Sequence, residues 1–263
     1  MSRSRQTVIV IPTYNEADNI NDLLHRVRQS SPTAHVLFVD DQSPDGTAER
    51  IREAAREDGR LFLLAGGEKL GLGAAYRAGF GWALDHGYAT VVQMDADLSH
   101  PPEMVPALVA ALDGADIAVG SRYVAHGSVQ NWVWSRRLLS RLGNLYVRLV
   151  LGVPVHDNTA GFKAFTASAL RDIDVLASTS NGYCFQIENT WRAHRAGLTI
   201  TEVPITFTDR ARGTSKMSGD IALEAITRVL RWRWAEITQS HPSSRSRQRP
   251  PAQPSTEQPH AAA

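Results

Sequence analysis

The sequence predicts an α/β fold, with a mostly parallel central sheet carrying helices on both faces. Three observations predict it. Short apolar runs alternate with segments of helical period up to Val119, the β-α-β-α signature of a parallel sheet. Polar, acidic and glycine-rich motifs follow the apolar runs directly, at the strand ends where open α/β sheets bind ligands. The chain has 263 residues, of which 43% are hydrophobic, enough to build one large core.

Thr7–Ile11 is too short for a helix and is bounded by Pro12, so it reads as a buried strand. Asn15 caps the next segment, where Ile20, Leu23, Leu24 and Val27 recur at helical spacing. His35–Val39 is the second strand, and Asp45–Glu57 a helix with Ile51, Ala54 and Ala55 inward. Leu61–Ala65 and Leu72–His86 form the third strand and helix. Thr90–Met94 and Asp116–Val119 are strands flanking the helix Pro102–Leu112. Later come a helix at Trp134–Leu151, a strand-like run at Val203–Phe207 and a C-terminal amphipathic helix from Asp220 to Ile237.

Net charge is +1, so no global field favours nucleic acid, and none is expected as a partner. The single cysteine, Cys184, excludes an intramolecular disulfide framework and suits a reducing compartment. No apolar run reaches the ~18–20 residues of a membrane span, and Met1–Gln6 has no signal-type apolar region. A cytoplasmic, soluble or peripheral protein is therefore expected. The tail 240–263 holds five of the thirteen prolines and no bulky apolar residue, so it is expected to be disordered. That leaves 1–239 as one folded domain.

The sharpest motif is Asp95-Ala-Asp97. Two carboxylates at i, i+2 can converge on Mg²⁺ or Mn²⁺, which takes one or two protein carboxylates and fills its sphere with phosphate oxygens and water. Alternatively, Asp97 caps a helix beginning near Pro101 or Pro102. Of the pair Asp40-Asp41, one acid can cap a helix while the other accepts from a base or ribose. Pro12, Tyr14 and Glu16 are either strand-end punctuation with a first-turn acid or a base-stacking platform. Lys69-Leu-Gly71-Leu-Gly73 is similar to a phosphate-cradling loop but lacks the full P-loop pattern. No G-x-G-x-x-G follows the first strand, which disfavours NAD. In the second half, Arg122 ends a strand, and Arg210 and Lys216 lie in a glycine- and serine-containing segment. They read as a diphosphate clamp on a lid, or as a solvated basic turn.

Two helices point to a membrane surface. On 134–151, Leu138, Leu139, Leu142, Leu145, Tyr146 and Leu149 form one stripe flanked by Arg137, Arg141 and Arg148. This suits an anionic interface, or an ordinary core-facing helix with snorkelling arginines. On 220–237, Ile221, Leu223, Ile226, Val229, Leu230, Trp232 and Trp234 leave only a narrow polar arc. Trp with Arg favours the headgroup region; the alternative is internal packing.

Together these motifs resemble the dolichol- or polyprenol-phosphate mannosyltransferases, inverting glycosyltransferases with a Rossmann-like GT-A fold. The resemblance runs from about Thr7 to Ile237. PTYNE and the acidic pair are shared widely. DDQSPDGT, MDADLSHPP, GSRY, DRARGTSK, the stretch Ser135–Asn144 and Asp157–Lys163 are more specific. The resemblance implies transfer of mannose from GDP-mannose to a polyprenyl (dolichyl) phosphate at the cytoplasmic membrane face. Pro12, Tyr14, Glu16, Val39 and Asp41 would hold the guanosine, with Asp95 and Ala96 on the donor. Asp97 would bind Mg²⁺ or Mn²⁺, and Ser99, where relatives carry Gln, would be a second ligand, reaching the ion through water. Arg122, Arg210 and Lys216 would hold phosphates, and Lys69 belongs to the cradle-like loop. Arg136 or Arg141 would orient the acceptor phosphate, while the leucine stripe carries its polyprenyl chain. Some members need a separate membrane-anchoring subunit, and this chain fits that type. Competing readings are a UDP-glucose donor, a silent nucleotide-sugar-binding regulator, and a transferase to a hydroxyl acceptor with Asp157 as base.

Overall fold

A computed structural model describes residues 7–65, 71–209 and 219–239. The early apolar runs become the centre of the sheet. β1 (Thr7–Thr13) lies between β2 (His35–Asp40) and β4 (Thr90–Gln93), parallel to both, with Val8 opposite His35 and Thr7 opposite Thr90. β3 (Leu61–Ala65) extends the sheet beyond β2. Val8 to Ile11 are fully buried, because helices cover both faces and leave no polar alternation to read. The helices are α1 (Ile20–Ser30), α2 (Thr47–Glu57), α3 (Leu72–Asp85) and α4 (Val105–Ala111), the last leading to β5 (Ile117–Ser121).

Among the described residues the sheet has seven strands in the order β3-β2-β1-β4-β7-β5-β8, where β7 is Lys163–Thr166 and β8 is Ile200–Pro204. β7 runs antiparallel to both of its neighbours. The chain winds outward from β1 to β3, then crosses back to β4 on the other side of β1. That reversal opens a crevice at the carboxyl ends of β1 and β4.

Two cores sandwich the sheet. One joins Ile9, Ile11, Phe38 and Val92 to Ile20, Leu23, Val27, Ile51 and Leu108. The other joins Val8, Val10, Leu37 and Val91 to Tyr76 and Phe80 of α3, with α6 (Ala167–Asp172) and α7 (Gly182–Arg195). On α3, Gly79 is required by close approach: a Cβ there would lie 2.4 Å from Val10 Cγ1.

A third core joins α5 (Trp134–Leu151) and α8 (Gly219–Gln239) to α7 through Val147, Leu151, Ile187, Trp191 and Val229. Trp232 of α8 stacks on Trp191 at 5.2 Å. So α8 packs internally on one side while Ile226, Leu230, Trp234 and Ile237 remain exposed on the other. On α5 the inward residues are Asn144, Val147 and Leu151. The leucine stripe is not core-facing: Leu138, Leu142, Leu145 and Leu149 are 46–75% exposed. Among the described residues no helix is long and apolar enough to cross a membrane.

Three local expectations are corrected. Asn15 does not cap α1: it sits at φ 60°, and the helix begins only at Ile20, behind Asn19. Pro102–Leu112 is a 3-10 turn, Pro102–Met104, followed by α4, with Pro106 tolerated in the first turn. The run Val203–Phe207 is split. β8 ends at Pro204, and β9 (Thr206–Thr208) leaves to pair in parallel with β6 (Ser128–Gln130) in a small second sheet. The tail 240–263 lies outside the described residues.

Candidate active site

The exits of β1, β2, β4 and β5 open into one cleft of about 470 Å³. β1 contributes Pro12 and Thr13, with Tyr14 and Glu16 just beyond it. β2 is followed by Asp41, β4 by Asp95, Ala96, Asp97, Ser99 and His100, and β5 contributes Gly120, followed by Arg122. Asn15, Gln42 and Leu98, each within a few residues of a strand end, have φ of 60–61° although none is glycine. Such conformations persist where the surroundings over-determine them.

The two adjacent acids divide their work, but neither caps a helix. Asp40 is buried and accepts from Thr13 Oγ1 at 2.9 Å, Ser43 N at 3.0 Å and Ser43 Oγ at 2.6 Å, tying the exits of β1 and β2 together. Asp41 faces the cleft and accepts from Gly71 N at 3.1 Å. The residue before α2 is Gly46, in the left-handed region at φ 87°. Asp45 braces the neighbouring turn, accepting from Ala17 N and Thr47 N. Burial pushes its pKa up, but the hydrogen bonds from Thr47 and Ala17 outweigh that and hold it below the ordinary value.

At the β4 exit, Asp95 Oδ1 accepts from Tyr76 Oη at 2.7 Å. Burial, and then the charge of Asp95, push the Tyr76 phenol well above its ordinary pKa, so it stays a donor. The Asp95 N–H donates to His100 Nδ1 at 3.0 Å, which leaves the proton of the neutral ring on Nε2. Asp97 does not cap the following helix. Its Oδ1 accepts from Ser99 N at 3.1 Å and Ser99 Oγ at 2.6 Å, closing a tight turn. Ser99 therefore orients the Asp97 carboxylate.

Arg122 and Asp157 form the deepest charge pair. Arg122 Nε and Nη2 reach Asp157 Oδ2 and Oδ1 at 2.7 and 2.6 Å, and Nη2 also donates to Thr159 Oγ1. Asp157 is fully buried. Burial alone would lower the Arg122 pKa, but the charge and hydrogen bonds of Asp157 raise it above the ordinary value. Asp157 is thus the counter-ion of Arg122, with both carboxylate oxygens engaged. Below it, Lys163 is almost wholly buried, donating to Gln186 O at 2.9 Å and Thr190 Oγ1 at 2.8 Å. Burial pulls its pKa down to about 7, against the opposing pull of Asp157.

Arg136, in the first turn of α5, lines the same cleft. It pairs with Asp209 at 2.8 Å, and its guanidinium lies 4.1 Å from the Trp132 ring centre. Arg141 does not join it; it lines a separate, smaller cavity. Val39 does not line the cleft with its side chain, which is buried in the core, in the cluster that holds Tyr76, because a β2 residue one step before the strand end points into α3. Lys69, Arg210 and Lys216 lie outside the described residues.

Several cleft residues carried no sequence signal. Asn181, Gly182, Tyr183 and Cys184 enter from the start of α7, and Trp132 and Phe207 form an aromatic wall. Phe207 and Trp132 meet edge-on at 5.5 Å. Gly161 was visible only as part of a motif, and Asp157 as part of the same motif and as the candidate base of a hydroxyl-acceptor enzyme.

No group of three His, Cys, Asp or Glu side chains that could hold a metal occurs among the described residues. Asp97, one of several acids lining the cleft, fits the kind of ion that takes one or two protein carboxylates and completes its sphere from phosphate and water.

Residues 8–174 match glycosyl transferase family 2. The chain is 49% identical over 231 residues to the polyprenol monophosphomannose synthase of Mycolicibacterium smegmatis, covering 87% of each protein. It is 47% identical over 227 residues to the undecaprenyl-phosphate mannosyltransferase of Micrococcus luteus, covering 86% of this chain and 93% of that one. Its fold is similar to that of the mannosyltransferase PcManGT from Pyrobaculum calidifontis, solved with GDP-Man and Mn²⁺, at TM-score 0.55 and 17% identity over 90% of this chain and 65% of that one.

Proposed function

The chain belongs to glycosyl transferase family 2, and on that premise we propose that it transfers mannose from GDP-mannose to the phosphate of a polyprenyl phosphate, with inversion at the anomeric carbon. One observation carries the acceptor half of this reading. Arg136 reaches the donor cleft from the first turn of α5, while the same helix presents exposed Leu138, Leu142, Leu145 and Leu149. A phosphate site and an apolar track are thus joined on one element. The names of the two relatives support the same acceptor class.

In this reading Pro12, Tyr14, Glu16 and Asp41 hold the nucleoside at the exits of β1 and β2. Asp95, fixed by Tyr76 and His100, meets the sugar. Asp97 would hold Mg²⁺ or Mn²⁺ together with the donor's diphosphate, and such an ion would supply positive charge opposite the leaving group. Ser99 orients the Asp97 carboxylate and would reach the ion through water. Arg210 and Lys216, outside the described residues, complete the grip on the diphosphate. Arg122 is held in place by Asp157, so its remaining edge meets phosphate without a change of rotamer.

The acceptor phosphate has a second pKa of ~6 and arrives largely ionised. It needs no strong base, in keeping with the commitment of Asp157 to Arg122. What the residues supply is alignment and charge: Arg136 on the attacking phosphate, Arg122, Arg210 and Lys216 on the phosphates. The enzyme works from the cytoplasmic membrane face, with the exposed rows of α5 and α8 against lipid, alone or with a membrane-anchoring subunit.

Donor identity is tested by calorimetric titration of GDP and UDP in Mg²⁺. GDP binding at least about tenfold tighter is expected; a preference for UDP would reject the guanosine assignment.

A further inference from the structure

The second cavity, about 230 Å³, is lined by Tyr123, Arg141, Asn144, Leu145, Arg148 and His156. Arg141 and Arg148 are seven residues apart on α5, two turns along one face. Arg148 is half-buried and Arg141 exposed, whereas several half-buried or buried arginines elsewhere are spoken for, as in Arg122–Asp157, Arg136–Asp209 and Arg192–Glu188. Arg141 and Arg148 pair with no carboxylate among the described residues, and no Asp or Glu lines the cavity. Between them, Asn144 is fixed, accepting from Asn158 N and donating to Thr159 Oγ1, so the floor is rigid.

This cavity is distinct from the donor cleft, and their linings meet where Tyr123 lies 5.2 Å from the Arg122 guanidinium and where Asn144 donates to Thr159. On its outer side it opens on the exposed leucine row, since Leu145 both lines it and stands 46% exposed. Two arginines around a small hollow suit a phosphate diester or monoester, and the adjoining leucines suit hydrocarbon.

We propose that this cavity is a second anion site, which takes the phosphate of an anionic membrane lipid while its acyl chains lie along Leu142, Leu145 and Leu149. It would hold α5 at a fixed depth and so present the Arg136 end of the cleft to the acceptor. This rests on the reading that α5 lies at a membrane.

The test is co-sedimentation with vesicles of phosphatidylcholine, with and without phosphatidylglycerol. The wild type is expected to prefer the phosphatidylglycerol vesicles. Arg148→Ala is expected to lose about fivefold of that preference, and Arg141→Ala/Arg148→Ala about 30-fold. Arg231→Ala, an exposed arginine outside the cavity, should change it less; an equal loss would mean diffuse charge and overturn the proposal. So would thermal stabilisation of the wild type, but not the double variant, by inorganic phosphate alone, which would make free phosphate the occupant. With a detergent-dispersed short-chain acceptor, Arg148→Ala should keep its kcat and acceptor KM. A raised KM would assign the cavity to the acceptor and reject a separate lipid site. Trp134→Ser should weaken binding to both kinds of vesicle. Wild-type protein that binds neither would instead sink the membrane reading beneath the proposal.

Discussion

Arg122 and Asp157 meet through two parallel hydrogen bonds of 2.6–2.7 Å, with both side chains almost entirely removed from solvent. Asp157 also accepts the Arg122 N–H at 3.0 Å, so the carboxylate fixes both backbone and side chain at the end of β5. Asp157→Asn leaves a buried guanidinium without its counter-charge. The expected loss is about 3–5 kcal/mol of stability, read as a lower urea midpoint. An unchanged midpoint would mean that the pair contributes little.

Tyr76 donates to Asp95 from a fully buried position at 2.7 Å. Tyr76→Phe removes one charge-assisted hydrogen bond without opening a cavity, worth about 1.5 kcal/mol or more. The expected result is a roughly tenfold fall in kcat/KM for the donor with the fold intact. Full activity would show that Asp95 needs no such support.

Lys163 gives a signed pH dependence. Its folded pKa is lowered from 10.5 to about 7 by burial, so between those values the unfolded chain holds more protons than the folded one. Stability should therefore rise with pH across that window, by at most ~1.4 kcal/mol per unit. Denaturation midpoints measured from about pH 7 to pH 9 should climb in the wild type and climb less in Lys163→Met. Parallel curves would contradict the assignment.

Arg136 is expected to act on the acceptor alone. Arg136→Ala should lower kcat/KM for polyprenyl phosphate by about 10- to 100-fold, the scale of a charged hydrogen bond, while GDP affinity stays the same. A matching loss of GDP affinity would place Arg136 on the donor.

The parallel half of the fold was legible because each strand was a short apolar run followed by a chemically loaded turn. The strands from β6 to β8 were harder to read. β7 is four residues, antiparallel, and carries buried Lys163. α7 hid for a related reason. Cys184 to Trp191 are all buried, including Gln186, Glu188, Asn189 and Thr190, so no amphipathic period exists to detect. The acids of the cleft were visible as motifs, and a division of labour between Asp40 and Asp41 was expected, but the structural role of Asp40 was not the helix cap that the sequence suggested. That Asp40 ties two loops while Asp41 faces the cleft follows from contacts with Thr13 and Ser43 on one side and Gly71 on the other. Arg136 and Arg141 look equivalent in sequence, and only the helix geometry sends them to different cavities.

The most direct test of the account is transfer itself. Purified protein is given labelled GDP-mannose, Mg²⁺ and a short-chain polyprenyl phosphate, and the organic-phase product is recovered and its anomeric configuration determined. Mannose is expected in the organic phase only when the lipid phosphate is present, in the β configuration, and reduced at least about 100-fold by Asp97→Ala. No lipid-linked mannose, or a product retaining the donor's configuration, would contradict it.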